Sequence, residues 1–220
     1  YQFNPLDNFG VFSNDASLLL PRTALGKKYY VVTRRQVSAG LRSYMTAIAV
    51  EPGTTKITVW PTARTLGGTG VPAMDPKKTP GISKVFSLKE GQVLNIETNQ
   101  DGADLTGSVI HADKRIAVFG GSEASRSPDK GNCVKWQKSS KKVCASTTNG
   151  GGVLSAKYCN SQSDCPWSCC ADHLEEQLFP IKSWGKTYVG AHLRRRGIEK
   201  DSWRVVAATN KTKITIQPNI

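Results

Sequence analysis

The run Thr55-Lys56-Ile57-Thr58-Val59-Trp60-Pro61 returns late in the chain as Thr212-Lys213-Ile214-Thr215-Ile216-Gln217-Pro218. The match is longer than these seven positions. Residues 49–61 lie over 206–218, and Gly26-Lys27-Lys28-Tyr29 returns as Gly185-Lys186-Thr187-Tyr188. Each copy sets a tight turn, Pro52-Gly53 or Asn210-Lys211, before the alternating run. Apolar and polar residues alternating with period two read as a half-buried strand. A repeated unit of this kind buries its apolar face against neighbouring strands. One complete β unit is therefore expected over 26–122 and the start of a second over 171–220. Residues 1–25 are expected to end a preceding unit, and 123–170 to form an insertion. Tyr1-Gln2-Phe3-Asn4-Pro5 reads as a strand end entering a turn, and the close at Ile220 follows a strand-like run, so both ends look cut. The second unit is expected either to continue past Ile220 or to have its sheet completed by residues 1–20.

Between the two copies, strand signals dominate. Residues 29–33, 45–50, 56–60, 85–88, 92–97, 108–110 and 115–119 are rich in β-branched, aromatic or alternating apolar residues. Pro52-Gly53, Glu90-Gly91, Asp101-Gly102 and Gly120-Gly121 punctuate them as turns or strand ends. Short strands at close spacing predict an all-β fold, a β-sandwich of repeated Greek-key-like units, with a β-propeller as the alternative. The one helix candidate is 172–178, with Asp172 as its N-cap.

Six cysteines, Cys133, Cys144, Cys159, Cys165, Cys169 and Cys170, fall in a single Gly/Ser/Lys-rich stretch, and the rest of the chain has none. An even count in such a stretch predicts local disulfides that order a long loop, and with them an oxidising, extracellular setting. The pairing stays open, although adjacent Cys169 and Cys170 are expected to take different partners. A zinc site at Cys165, Cys169, Cys170 and His173 is the rival reading, but the paired CxxC knuckles of a structural zinc site are missing. No apolar run approaches the roughly 20 residues of a membrane span.

Lysine and arginine number 30 against 17 acidic residues, for a net charge of +13. The excess concentrates at Lys135, Lys138, Lys141 and Lys142 in the insertion and at Arg194-Arg195-Arg196. Basic surfaces favour anionic partners, here a protein or an acidic glycan. No interleaving of aromatics with these charges marks nucleic-acid binding. The bland counterpart is a solvated face that discourages edge-to-edge aggregation.

Three groups of residues, taken together, carry a resemblance. They are Asn4-Pro5-Leu6 with residues 13–21, Asp104-Leu105-Thr106-Gly107-Ser108 leading to residues 116–121, and residues 172–177 with Trp184-Gly185-Lys186-Thr187-Tyr188. In order and spacing they resemble the IgGFc-binding protein N-terminal domain family, over nearly the whole chain except 125–168. The resemblance implies a β-rich secreted or cell-surface domain, of a kind found in mucin-associated animal proteins and in large bacterial surface proteins. Family members carry a cysteine just before the Asp-His pair. Here Cys170 sits one residue further back, with Ala171 inserted and Cys169 beside it. The lysine-rich insertion fits a bacterial member, for which IgG binding itself is not expected.

Asp172, His173, Glu175 and Glu176 form the densest polar cluster. Asp172, His173 and Glu175 are the weak candidates for a cation site, and the cluster is where a hydrolase would work. The competing reading has Asp172 capping a turn and His173 bonding a neighbouring strand. Asp104 and Thr106 are expected to build a turn, since the Gly-x-Ser-x-Gly elbow of a nucleophilic serine is absent. Gly120-Gly121-Ser122 lacks the lysine of a phosphate loop and reads as a strand end. Asn210-Lys211-Thr212 is a formal glycosylation sequon. The sequence thus reads as an extracellular recognition or adhesion module, not an enzyme, with no cofactor. The alternatives are a structural repeat that self-associates into a filament or spacer, and an extracellular hydrolase.

Overall fold

The computed structural model describes residues 2–3, 15–37, 40–125, 131–135, 142–146, 153–160, 172–191 and 203–217. The strands are β1 (Gln2–Phe3), β2 (Asp15–Ala16), β3 (Gly26–Tyr30), β4 (Ser43–Ala49), β5 (Thr54–Trp60) and β6 (Lys84–Lys89). They continue as β7 (Val93–Glu97), β8 (Val109–Ser125), β9 (Gly131–Lys135), β10 (Lys142–Ser146), β11 (Val153–Cys159) and β12 (Asp172–Gln177). A 3-10 turn follows at Ile181–Ser183. The all-β expectation holds.

β8 organises the main sheet. Its first residues pair with both β3 and β5, as in Tyr29↔Ile110 and Val59↔Ile110. Ile116 pairs with Gly26 of β3 and Ala49 of β4, and Phe119 with Thr46 of β4 and Gln177 of β12. A residue takes one partner per edge. One edge of β8 therefore carries β5 and then β4, and the other carries β3 and then β12. The outer strands β6 and β7 add to β5 and β4. The two expected layers are thus halves of one antiparallel sheet that curls partly toward a barrel. A strand shared among four neighbours is also not the arrangement of a propeller blade.

The alternation in the sequence explains the core. Ile57 and Val59 of β5, Phe86 of β6, Tyr29 of β3, and Ile110 and Ala112 of β8 point inward from one half. Met45 and Ala47 of β4, Leu94 and Ile96 of β7, and Ile116 and Val118 of β8 point inward from the other. All belong to a single buried cluster, which Val31, Met74, Leu105 and Leu178 complete. Each large side chain buried here contributes about 1.5–3 kcal/mol.

Three sequence expectations are corrected. Residues 108–110 and 115–119 are not separate strands. The charges of Asp113 and Lys114 between them, and of Arg115, serve the neighbouring β4–β5 connection. Asp113 accepts from the Lys56 amide at 2.9 Å, Lys114 donates to the Pro52 carbonyl at 2.7 Å, and Arg115 pairs with Glu51. Gly120-Gly121-Ser122 lies inside β8, not at a strand end. A Cβ at Gly120 would stand 2.1 Å from the Val32 carbonyl oxygen, and one at Gly121 2.4 Å from the Tyr44 ring. These glycines let other chain segments close on both faces of β8. Third, the helix expected over 172–178 is absent, and Asp172–Gln177 forms strand β12. Its polar residues find partners on neighbouring elements, and Asp172 accepts from the next amide, His173, instead of capping a helical turn.

Within the predicted insertion, β9, β10 and β11 form a three-stranded antiparallel sheet. Residues 15–20 run beside β12. The Ser17 hydroxyl accepts from the Gln177 amide at 2.8 Å and donates to Glu176 at 2.9 Å, and the Leu20 amide donates to the Gln177 side chain.

Gly120→Ala is expected to lower stability by about 3 kcal/mol through overpacking. Gly68→Ala, where a Cβ meets nothing within 4 Å, is expected to be neutral by comparison. Chemical denaturation of the two variants checks this, and equal midpoints would remove the close-approach account of β8.

Candidate functional site

The polar cluster read from the sequence is built where β12 meets β4 across β8. β12 alternates along the strand, so His173 and Glu175 turn to one side and sit half-buried, while Asp172 is exposed. Tyr44 of β4 reaches over Gly121 to meet them. Its hydroxyl donates to Glu175 Oε2 at 2.8 Å and lies 3.1 Å from His173 Nε2, and the two rings stack at 6.0 Å. The imidazole and the Glu175 carboxylate are 3.9 Å apart, too far for a hydrogen bond, so the Tyr44 hydroxyl relays their interaction. The Asp15 carboxylate accepts from the Glu175 amide.

The Glu175 carboxylate raises the His173 pKa, assisted by Asp15 and a hydrogen bond with the Glu123 backbone, against burial that lowers it. Glu175 is held below its usual range by His173 first and Tyr44 next, against burial. The imidazole is thus engaged from two directions. This arrangement couples β12 to β4. Among the described residues, no three of His, Cys, Asp and Glu converge as metal ligands.

A second polar knot forms around Asp104, as the turn reading anticipates. Oδ1 accepts from the Thr106 amide at 2.9 Å, the Thr106 hydroxyl at 2.7 Å and the Thr33 hydroxyl at 2.8 Å. Arg204 completes it, donating to Asp104 Oδ2 at 2.8 Å, to the Thr106 hydroxyl at 2.6 Å and to the Thr33 carbonyl. Burial pushes the Asp104 carboxyl up, but these donors and the guanidinium outweigh it and hold its pKa below the usual value. Arg204 thereby ties residues 203–217 to the main sheet, a link the sequence did not indicate.

The outward face of the β3–β8–β5–β6 half carries a different chemistry. Lys28, His111 and Thr58 form one cross-strand row that Val85 extends, and Tyr30, Val109 and Trp60 form the next. Lys56 and Lys89 project from the same face of β5 and β6, with Asp113 close by. Lys28, Lys56, Lys89 and His111 are exposed, and Tyr30 and Trp60 are half-exposed. No run of charge marks this basic, aromatic face in the sequence. Its signal is the spacing by two in Lys28/Tyr30 and in Lys56/Thr58/Trp60.

Of the predicted partner-binding residues, Lys142 is exposed on β10 and lies opposite Lys135 of β9. Lys138, Lys141, Arg194, Arg195 and Arg196 lie outside the described residues. Cys159 is buried and disulfide-bonded. Cys144 stands opposite Cys133 in the β9–β10 register, and Cys165, Cys169 and Cys170 lie outside the described residues.

Two measurements probe the knots. A raised His173 pKa stabilises the fold below the ordinary 6.5, and this is lost as pH rises through the folded value. A lowered Glu175 pKa stabilises above 4.5, and this is lost as pH falls through the folded value. The pair therefore contributes most between these limits. After screening it is worth about 0.5 kcal/mol, a roughly twofold slowing of β12 amide exchange at pH 6 against pH 8 once intrinsic rates are removed. His173→Gln should erase that difference. Asp104→Ala is expected to cost about 3 kcal/mol in denaturation, and Arg204→Ala about 1 kcal/mol.

No helix among the described residues is long and apolar enough to cross a membrane. No curated protein and no solved structure matches the chain. The family described as IgGFc binding protein matches residues 15–220, spanning β2 to β12 and the closing segment. The chain belongs to the IgGFc binding protein family.

Proposed function

We propose that this chain is an extracellular recognition module of a larger cell-surface or secreted protein, and that it binds an acidic protein or an anionic glycan. The observation that carries this reading is the outward face with Lys28, Lys56, Lys89 and His111 set around the half-exposed Trp60, with Tyr30 packed against Trp184 at its edge. Aromatic rings offer flat apolar area to a sugar or side chain, and the cations attract carboxylate and sulfate groups. Membership of a family named for protein binding supports a binding role, as does the net charge of +13. The clusters at His173 and Asp104 hold the fold together, which favours binding over catalysis. Lys135, Lys138, Lys141, Lys142, Arg194, Arg195 and Arg196 extend the basic contact in this reading.

The bonded Cys159 supports the extracellular setting, and the remaining cysteines are proposed to pair as well. Alkylation followed by intact-mass analysis should find all six thiols blocked before reduction and open after it. Six free thiols would sink the extracellular reading.

Binding is tested by the salt needed to elute the chain from immobilised heparin and from an immobilised acidic protein. Lys28→Glu with Lys56→Glu is expected to weaken retention on at least one matrix roughly tenfold, since exposed contacts are worth about 0.5–1 kcal/mol each. Lys77→Glu with Lys78→Glu makes the same change in net charge on a loop and should have much less effect. Equal losses for the two pairs would reduce the interaction to bulk charge and remove the proposed face.

A further inference from the structure

The basic residues of the outward face are not scattered. The adjacent strands β3, β8, β5 and β6 each contribute to it a single basic side chain, Lys28, His111, Lys56 and Lys89. The register fixes their order. Lys28 stands opposite His111, and His111 opposite Thr58. Lys56 lies two residues before Thr58 on β5, and Lys89 stands opposite Thr54, two residues earlier again. The four positions therefore form a line oblique to the strands. With adjacent strands about 4.8 Å apart and a rise of about 3.4 Å per residue, neighbouring positions are about 5–8 Å apart and the line is about 20 Å long.

All four side chains are exposed. Among the described residues none of the three lysines is in an ion pair, whereas Arg42, Arg115 and Arg204 each face a carboxylate. Hydroxyl side chains lie along the line, with Thr58 in the row of Lys28 and His111 and Ser87 opposite Lys56. Val85 and Trp60 stand to one side of it. Asp113 stands to the other, where its carboxylate accepts from the Lys56 amide at 2.9 Å.

We propose, on the reading of this face as the binding surface, that its ligand is a linear sulfated glycan lying along the line from Lys28 to Lys89. A protein partner draws most of its affinity from apolar anchors at the centre of the contact. Here the centre carries cations and hydroxyls, and the apolar groups are at the flank. The spacing narrows the glycan class. Cations about 5–8 Å apart call for an acid group on nearly every sugar. Sulfation supplies that density, while a glycan whose acids are uronates on alternate sugars leaves part of the line unanswered. The sulfates pair with the ammonium groups, and the sugar hydroxyls exchange hydrogen bonds with Thr58, Ser87 and the His111 ring. Trp60 offers its ring to the apolar face of a sugar at the flank. Asp113 repels acid groups that leave the line and so keeps the glycan in register.

The probes are labelled heparin oligosaccharides of defined length, titrated against the intact chain by fluorescence anisotropy at fixed salt. Affinity is expected to rise from the disaccharide to the hexasaccharide and then level off, because longer chains overrun the line. Lys28→Gln and Lys89→Gln, at its two ends, should each weaken hexasaccharide binding about twofold to fivefold, and Lys77→Gln with Lys78→Gln should not. Asp113→Asn, which keeps an acceptor for the Lys56 amide, should strengthen it. Melting temperatures should be unchanged in the lysine variants, since these side chains are exposed. A hyaluronan hexasaccharide and a single-stranded oligodeoxynucleotide of equal charge should bind at least tenfold more weakly. Equal affinity for either one, a climb with length that never levels, or indifference to the Lys28 and Lys89 variants overturns the proposal. If Lys28→Glu with Lys56→Glu weakens retention on the acidic protein but not on heparin, the face stands as the binding surface and the glycan inference is wrong. If that pair does no more on either matrix than the Lys77 and Lys78 pair, the face itself is wrong and the inference falls with it.

Discussion

Backbone pairing along both edges of β8 is the constraint on which the other features rest. A buried strand must place every amide and carbonyl, since each one left unpaired costs as much as a lost hydrogen bond. β8 meets this by taking β5 and β4 on one edge and β3 and β12 on the other. Segments as far apart in sequence as Gly26 and Gln177 are thereby brought onto one ladder. The consecutive Gly120 and Gly121 are a consequence of that crowding. The Val32 carbonyl closes on one and the Tyr44 ring on the other, so side chains there would force the layers apart.

The polar knots lie at the seams this arrangement creates. Tyr44, His173 and Glu175 join β4 to β12, and Asp15 and Ser17 fasten the early segment to the same strand. Asp104, Thr33, Thr106 and Arg204 join the β3 exit, the turn before β8 and the closing segment. Half-buried charges are costly unless hydrogen-bonded, and here each has at least one partner on a different element. That makes them specific connectors. It also explains why residues that look chemically active in the sequence are spent on holding the chain together.

What remains for interaction is the surface the core does not use. One half of the sheet turns lysines and aromatics outward, and the second copy of the repeat turns outward the isoleucines that the first copy buries. The two surfaces differ in kind. The first is polar and salt-sensitive, and suits a ligand met in solution. The second is apolar, with Ile214 and Ile216 exposed.

Much of this was legible in the residues themselves. Alternation at Lys56–Trp60 marked a strand and its inward face, because side chains on a strand alternate with period two wherever it lies, and the apolar run at 45–50 and the run at 92–97 marked strands as well. The turn chemistry of Asp104 was equally local, since its acceptor bonds to Thr106 span only two residues. Asp172–Gln177 was not legible as a strand, because six residues of polar and apolar character fit a short helix as well, and only pairing with β8 decides between them. Nor could Asp113-Lys114-Arg115 be read as the middle of β8, since their charges are answered by Glu51 and Pro52 of the β4–β5 turn and by Lys56 of β5. The meeting of Tyr44 with His173 and of Asp104 with Arg204 carries no sequence signal, because each pair is separated by about a hundred residues or more. The sequence by itself determined which residues alternate, turn and repeat. Tertiary structure alone decided which were buried and which charges were neutralised, because burial and pairing depend on neighbours distant in the chain.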